Sequence, residues 1–206
     1  DSFVDNYHYR KKFLYGVMDA DVTDSTTLSV GYEYQESHTA DPTWGGLPTW
    51  YSDGSKTHYN RSQTVAPDWA YSDKDSTRIF ANLTQRFDNG WEAHINGMHA
   101  ETNFDSKLMY MSGYPDKETG AGLVGYGGWN RGERKQDAVD AFLRGGFDLF
   151  GRQHEMMFGG SFSRQRNHYD NSMPDAVYGM VDVGNFKNWN GNIADPQWTP
   201  WKLYSK

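Results

Sequence analysis

Six stretches of this chain alternate in character from one residue to the next, and the connections between them switch strictly between very short and very long. On one set of alternating positions lie Leu14, Gly16, Met18, Ala20 and Val22; Leu28, Val30, Tyr32 and Tyr34; and Ile79, Ala81, Leu83, Gln85 and Phe87. The same pattern continues through Trp91, Ala93, Ile95 and Gly97; Val139, Ala141, Leu143, Gly145, Phe147 and Leu149; and Met156, Phe158, Gly160 and Phe162. None of these positions is charged. The residues between them, among them Asp19, Asp21, Glu33, Arg78, Arg86, Glu92, His94, Asp140, Arg144 and Asp148, carry both signs. A period of two is the repeat of a β-strand, whose successive side chains point to opposite faces, so each stretch reads as a strand with one uncharged and one polar face.

The connections decide what closes such a sheet. Thr23 to Thr26, Asp88-Asn89-Gly90 and Gly151-Arg152-Gln153 supply the Asp, Asn and Gly of tight hairpin turns. Between them, about 40 residues from Glu36 to Asp75 and about 25 from Met111 to Gln136 exceed ordinary hairpin loops. Turns at one rim, long loops at the other and an uncharged face of about ten residues per strand describe an outer-membrane β-barrel. Hydrocarbon tolerates neither unpaired backbone groups nor open sheet edges, so spanning strands must pair throughout. Phe87, Trp91, Phe147 and Phe150 gather beside the tight turns as an interfacial girdle, which makes the turn rim the periplasmic one. A soluble β-sandwich also alternates, but its loops stay mostly short.

Composition narrows the classes. The formal net charge of -7 disfavours nucleic acid, whose phosphates call for basic surfaces. No apolar run approaches the roughly 20 residues of a spanning helix. With no cysteine there is no disulfide framework and no thiolate metal site. The first residues, DSFVDNYHYRKK, lack the features of a signal peptide, and both ends are expected to be cuts within a longer polypeptide.

Catalytic chemistry has little foothold. The seven histidines are scattered without metal-ligand spacing, and there is no phosphate-binding glycine loop or nucleophile elbow, so neither an enzyme nor a protein-bound metal is expected. The long loops instead concentrate large rings: Trp44, Trp50, Tyr51, Trp69, Tyr71, Tyr110, Tyr114, Tyr126 and Trp129. Such rings hold bulky ligands at small entropic cost, and they also pack on one another to order a loop.

At these loops the chain resembles the TonB-dependent siderophore receptors, in particular the ferric-coprogen and ferric-rhodotorulic-acid receptor and, more distantly, the ferric-pyoverdine receptor. The resemblance is carried by TTLSVGYEYQ at 26–35, PTWGGLPTW at 42–50, APDWAYSDK at 66–74, FDSKLMY at 104–110, FGRQHEMMFGGSFS at 150–163 and NGNIADPQW at 190–198. It implies an all-β fold: about six strands, roughly the third to the eighth, of an outer-membrane barrel of about 22. Residues 1–206 would then be a fragment of the barrel domain, without the N-terminal plug and the later strands. It further implies TonB-dependent import of a coprogen-like ferric hydroxamate siderophore, with iron held only by the siderophore and no cofactor. TonB would act through the missing plug, and the remaining partner would be outer-membrane lipid. Trp44 and Tyr114 match ligand-facing aromatic positions of these relatives, with Trp69 and Tyr71 as weaker carry-overs. The rival functions are a passive porin-type channel, which would fold opposed charges into its lumen, and a soluble carbohydrate-binding β-sandwich.

Overall fold

The computed structural model describes residues 2–205. Six long strands, β1 (His8–Thr23), β2 (Thr26–Ala40), β3 (Tyr71–Arg86), β4 (Glu92–Gly113), β5 (Leu123–Leu149) and β6 (Arg152–Ser172), pair antiparallel in sequential order. Two short strands complete the sheet: β7 (Met180–Asp182) pairs with β5, and β8 (Lys202–Ser205) pairs with β6. Helical structure among the described residues is limited to two single 3-10 turns, Val177–Gly179 and Phe186–Asn188.

The cross-strand register puts the six uncharged sets on one face. Met18 faces Val30, Val30 faces Ala81, Ala81 faces Gly97, Gly97 faces Val139, and Val139 faces Phe162. The next row is Ala20, Leu28, Leu83, Ile95, Ala141 and Gly160. The other face carries hydrogen-bonded polar groups, including Asn96 Nδ2 donating to Asp140 at 2.7 Å and Arg144 Nε donating to Glu92 at 2.9 Å. A slip of one residue would invert this arrangement on any strand, so the pairing follows from the alternation itself.

The upper limit of the uncharged face runs obliquely. It lies at Leu14 on β1 and Tyr34 on β2, at Ile79 on β3, at Gly97 on β4, and at Val139 and Phe162 on β5 and β6. Leu14 shares a row with Lys135 through Tyr34, Thr77 and Glu101, so between β1 and β5 the limit slips by four residues, from position 135 to position 139. One residue of slip per strand, with about 3.3 Å rise and about 4.8 Å strand spacing, corresponds to a tilt of about 35°. At that tilt the uncharged run from Val139 to Leu149 stands roughly 27 Å tall, the height of the apolar band of a membrane barrel. Above it the same face becomes charged, with Lys12 paired to Glu36 at 3.2 Å and Lys135 to Glu133 at 3.0 Å.

All three tight turns lie at the lower rim. Phe87 N–H donates to the Trp91 carbonyl at 2.8 Å and Gly90 N–H to the Phe87 carbonyl at 3.0 Å, with Gly90 at φ 80°. The last turn is Phe150-Gly151, with φ of 54° and 71°. Arg152 and Gln153, expected in that turn, belong to β6 and pair with Leu149 and Asp148. Two positive φ angles give the twist that a two-residue hairpin requires, and they leave Phe150 93% exposed at the rim. Trp91 lies over Gly145, where a Cβ would collide with the indole, and its ring is 6.3 Å from that of Phe158.

At the upper rim the strands outrun their apolar faces. β4 and β5 continue as a paired ribbon to Gly113 and Leu123, so the expected loop of about 25 residues contracts to 114–122. The first long connection likewise contracts to 41–70 because β2 and β3 pair up to Ala40 and Tyr71. A third connection, 173–201, returns the chain from β6 to β8. These three segments and the ribbon enclose the core. Val65, Leu123, Val183 and Phe186 are buried together, with Leu47, Tyr59, Met111 and Trp189 packed around them. The large buried side chains thus lie at the loop end, while the outer face below is left open, as a wall facing lipid must be.

Candidate functional site

The polar face of the lower sheet becomes aromatic at the loop end. Counting by twos from Asn96 along β4 leads to Tyr110, which pairs with Tyr126 of β5; the two rings stack at 5.2 Å and 17°. Trp44, from the first long connection, meets Tyr110 edge-on at 5.1 Å and 81°. Its indole lies against Gly128, where a Cβ would come within 3.3 Å of Trp44 Cζ3, so glycine here lets the ring lie close to the wall. On β6, Tyr169 donates its hydroxyl hydrogen to Asn130 Oδ1 at 2.5 Å, and Asn171 Nδ2 donates to the same oxygen at 2.7 Å. Tyr204 of β8 closes the far side edge-on to Tyr169 at 5.1 Å.

These groups line a pocket of about 370 Å³ in which, among the described residues, no charged side chain takes part. Burial, reinforced by the neighbouring Tyr204, pushes the Tyr169 phenol above its usual range, so it stays a neutral donor. Rings set both flat and edge-on, with amide oxygens and nitrogens between them, suit the uncharged organic surface of a bulky ligand.

The four residues singled out in the sequence do not converge. Trp44 lies in this pocket, on the face that continues the barrel interior, and is 40% exposed. Tyr114 stands just beyond the last pair of the β4–β5 ribbon, 62% exposed, and does not line the pocket. Tyr71 occupies the opposite face, in a row with Lys107, Trp129 and Ser172. Its hydroxyl donates to Asp105 Oδ1 at 2.8 Å, where Trp129 Nε1 also donates at 2.8 Å. Burial first, and then the hydrogen bond and charge of Asp105, hold the Tyr71 phenol far above its ordinary range. Trp69 packs edge-on against Trp198 at 5.8 Å, away from Trp44. The Tyr169, Tyr204, Asn130 and Asn171 members of the pocket are additions. Counting by twos upward from Asp140 and Ser161 would have put Asn130, Tyr169 and Asn171 on the inner face.

Over this architecture the chain is similar to the walls of outer-membrane receptors. It is 34% identical over 95% of its length to the ferric-pyoverdine BN7/BN8 receptor of Pseudomonas putida, and 30% identical over 96% to the ferripyoverdine receptor of Pseudomonas aeruginosa. In each case it spans 24% of the relative, so it covers about a quarter of the length of these curated receptors. The structure of the Pseudomonas aeruginosa receptor FpvA with a heterologous ferric pyoverdine superposes with a TM-score of 0.86 at 27% identity, over 98% of this chain and 26% of that one. The siderophore receptor PiuA of Acinetobacter baumannii shares the fold, with a TM-score of 0.70 at 14% identity over 97% of this chain and 31% of that one. No family model matches the chain. Over nearly its whole length the chain is therefore similar to one sector of the barrel wall of ferric siderophore receptors of the bacterial outer membrane.

Proposed function

We propose that the whole protein imports a ferric siderophore across the outer membrane, driven by TonB, and that Trp44, Tyr110, Tyr126 and Tyr169 meet the organic shell of that ligand. The observation that carries this reading is the uncharged aromatic pocket on the inner face of a wall similar to that of ferric-pyoverdine receptors. Iron stays within the siderophore's own oxygen ligands, so the receptor needs no cofactor. Trp69 and Tyr71 order the outer side of the loops instead of touching ligand, and Tyr114, exposed just beyond the ribbon, is a ring that an arriving siderophore meets before the pocket.

The sequence motifs favour a coprogen-like hydroxamate as the cargo, while the names of the curated relatives favour a pyoverdine. Uptake of radioiron supplied as ferric coprogen or as ferric pyoverdine, in cells carrying the whole gene and in cells lacking TonB, separates these cargoes. Saturable, TonB-dependent uptake of one of them identifies the ligand. Uptake that is linear in concentration and indifferent to TonB would mean a passive channel and overturn the proposal.

A further inference from the structure

On the outer face of the ribbon, above the charged belt, a lysine is buried where barrel surfaces are otherwise open. Lys107 is 8% exposed, and its Nζ lies 2.7 Å from Asp195 Oδ2. The ammonium sits 4.4 Å from the centre of the Trp129 ring and 5.4 Å from that of Trp198. The second Asp195 oxygen accepts Trp198 Nε1–H at 2.8 Å. A buried ammonium is tolerated only when paired and enclosed in this way, so its one carboxylate partner fixes where residue 195 can lie.

Asp195 belongs to the returning half of the 173–201 connection, which reaches the pocket on the opposite face through Met173 and Gly179 and leads directly into Tyr204 of β8. Its two halves are laced together. Asp175 N–H donates to the Gln197 carbonyl at 2.7 Å, Thr199 N–H to the Met173 carbonyl at 2.9 Å, and Ser172 Oγ–H to the Thr199 carbonyl at 2.6 Å. Trp198 is held edge-on between Trp69 at 5.8 Å and Trp129 at 5.7 Å. Movement of residues 195–199 off the outer face therefore drags Met173 with it.

We propose that Lys107 and Asp195 form a latch that straps the 173–201 connection across the outside of the wall and thereby holds the shape of the aromatic pocket inside it. Both are positioning residues that touch no ligand. The proposal rests on the reading of that pocket as the siderophore site, but part of its test is independent of any ligand. Asp195→Ala leaves the ammonium buried without a partner, whereas Lys107→Met keeps the apolar stem and removes the charge, so the aspartate variant is the more damaging of the two.

The experiment uses the full-length receptor in detergent and in cells. Hydrogen exchange is followed at the amides of 190–199 and of the pocket-lining 171–173, beside half-saturation and maximal rate of uptake with ferric coprogen and ferric pyoverdine. In Asp195→Ala, exchange in both segments is expected to quicken by roughly tenfold or more. The half-saturation concentration rises with the maximal rate retained, Lys107→Met gives a smaller effect of the same kind, and Lys107→Arg restores the wild-type values. Unchanged exchange at 190–199 in Asp195→Ala would overturn the latch. Quickened exchange at 190–199 with 171–173 unaffected, or with half-saturation unaltered for a siderophore the wild type takes up, would overturn its coupling to the pocket. If the wild type takes up neither siderophore, the cargo reading fails while the exchange data still decide the latch.

Discussion

Ile79 and Asp75 project from the same face of β3, two pairing rows apart, and nothing in the backbone distinguishes them; the medium outside does. Below the oblique limit a charge on this face would sit in hydrocarbon, and above it the same face supports ion pairs such as Lys12 with Glu36. Arginine at Leu83 or Leu143 is therefore expected to destabilise the folded receptor by about 2 to 4 kcal/mol near the middle of the membrane. Arginine at Asn82, which pairs with Ser29 and Asn96 on the inner face, is expected to cost far less. Denaturant unfolding in lipid vesicles measures both, and equal costs would mean that the faces are assigned backwards. In the pocket, Trp44→Ala should weaken siderophore binding by about 1 to 3 kcal/mol if the ring is an anchor. Tyr71→Phe, which removes a hydroxyl bonded to Asp105 on the other face, should leave affinity unaltered. Fluorescence titration of the two variants checks the pair, and equal losses would return Tyr71 to the site.

The β4–β5 ribbon is an element whose existence was legible in the sequence and whose extent was not. An uncharged outer face against a polar inner one revealed its membrane part. Beyond Gly97 and Val139 the alternation changes sense: Glu101, Asp105 and Lys107 charge the outer face while Met98, Ala100, Phe104 and Leu108 line the inner one, so a search for an uncharged outer face stops there although backbone pairing continues to Gly113 and Leu123. The same blindness hid the 173–201 connection, and it let Tyr71 pass for a loop residue although its parity with Ile79 puts it on the outer face. At the ribbon's tip, Asp116 Oδ1 accepts the backbone N–H of Glu118 at 3.0 Å and of Thr119 at 2.7 Å, with the Thr119 hydroxyl at 2.9 Å. The backbone and side-chain bonds from Thr119, the largest influences, hold the carboxyl below its ordinary range. A depressed folded-state value means that the stabilisation is present above the unfolded value of about 3.9 and is lost as pH falls through the folded one. Cleavage of the tip by pepsin should therefore rise below about pH 4, and in Asp116→Ala it should be already high at pH 4 and change little further. A tip equally resistant at pH 5 and pH 2 in the wild type would show that the carboxylate does not hold the turn.

At the scale of the whole sheet, height and chemistry run together. The turn rim carries the girdle, the uncharged face occupies the middle, and core, pocket and latch lie above the charged belt. β4 has 22 residues, which at about 3.3 Å each and a tilt of about 35° rise roughly 60 Å, twice the hydrocarbon thickness of about 30 Å. One end of this strand therefore has to protrude far from the bilayer, and the uncharged rows begin beside the turns, so it is the loop end that protrudes. Long loops lie on the extracellular side of outer-membrane barrels and short turns on the periplasmic side. The chain holds no cysteine, which makes single replacements clean reporters within it. Glu118→Cys at the ribbon tip should react with a membrane-impermeant maleimide on intact cells, whereas Asp88→Cys in the β3–β4 turn should react only after the outer membrane is permeabilised. Labelling of Asp88→Cys but not Glu118→Cys on intact cells would invert the orientation and put the pocket on the periplasmic side, where an arriving siderophore could not reach it. Equal labelling of both without permeabilisation would mean that the sheet does not separate two compartments, and the band of uncharged rows would then need another explanation.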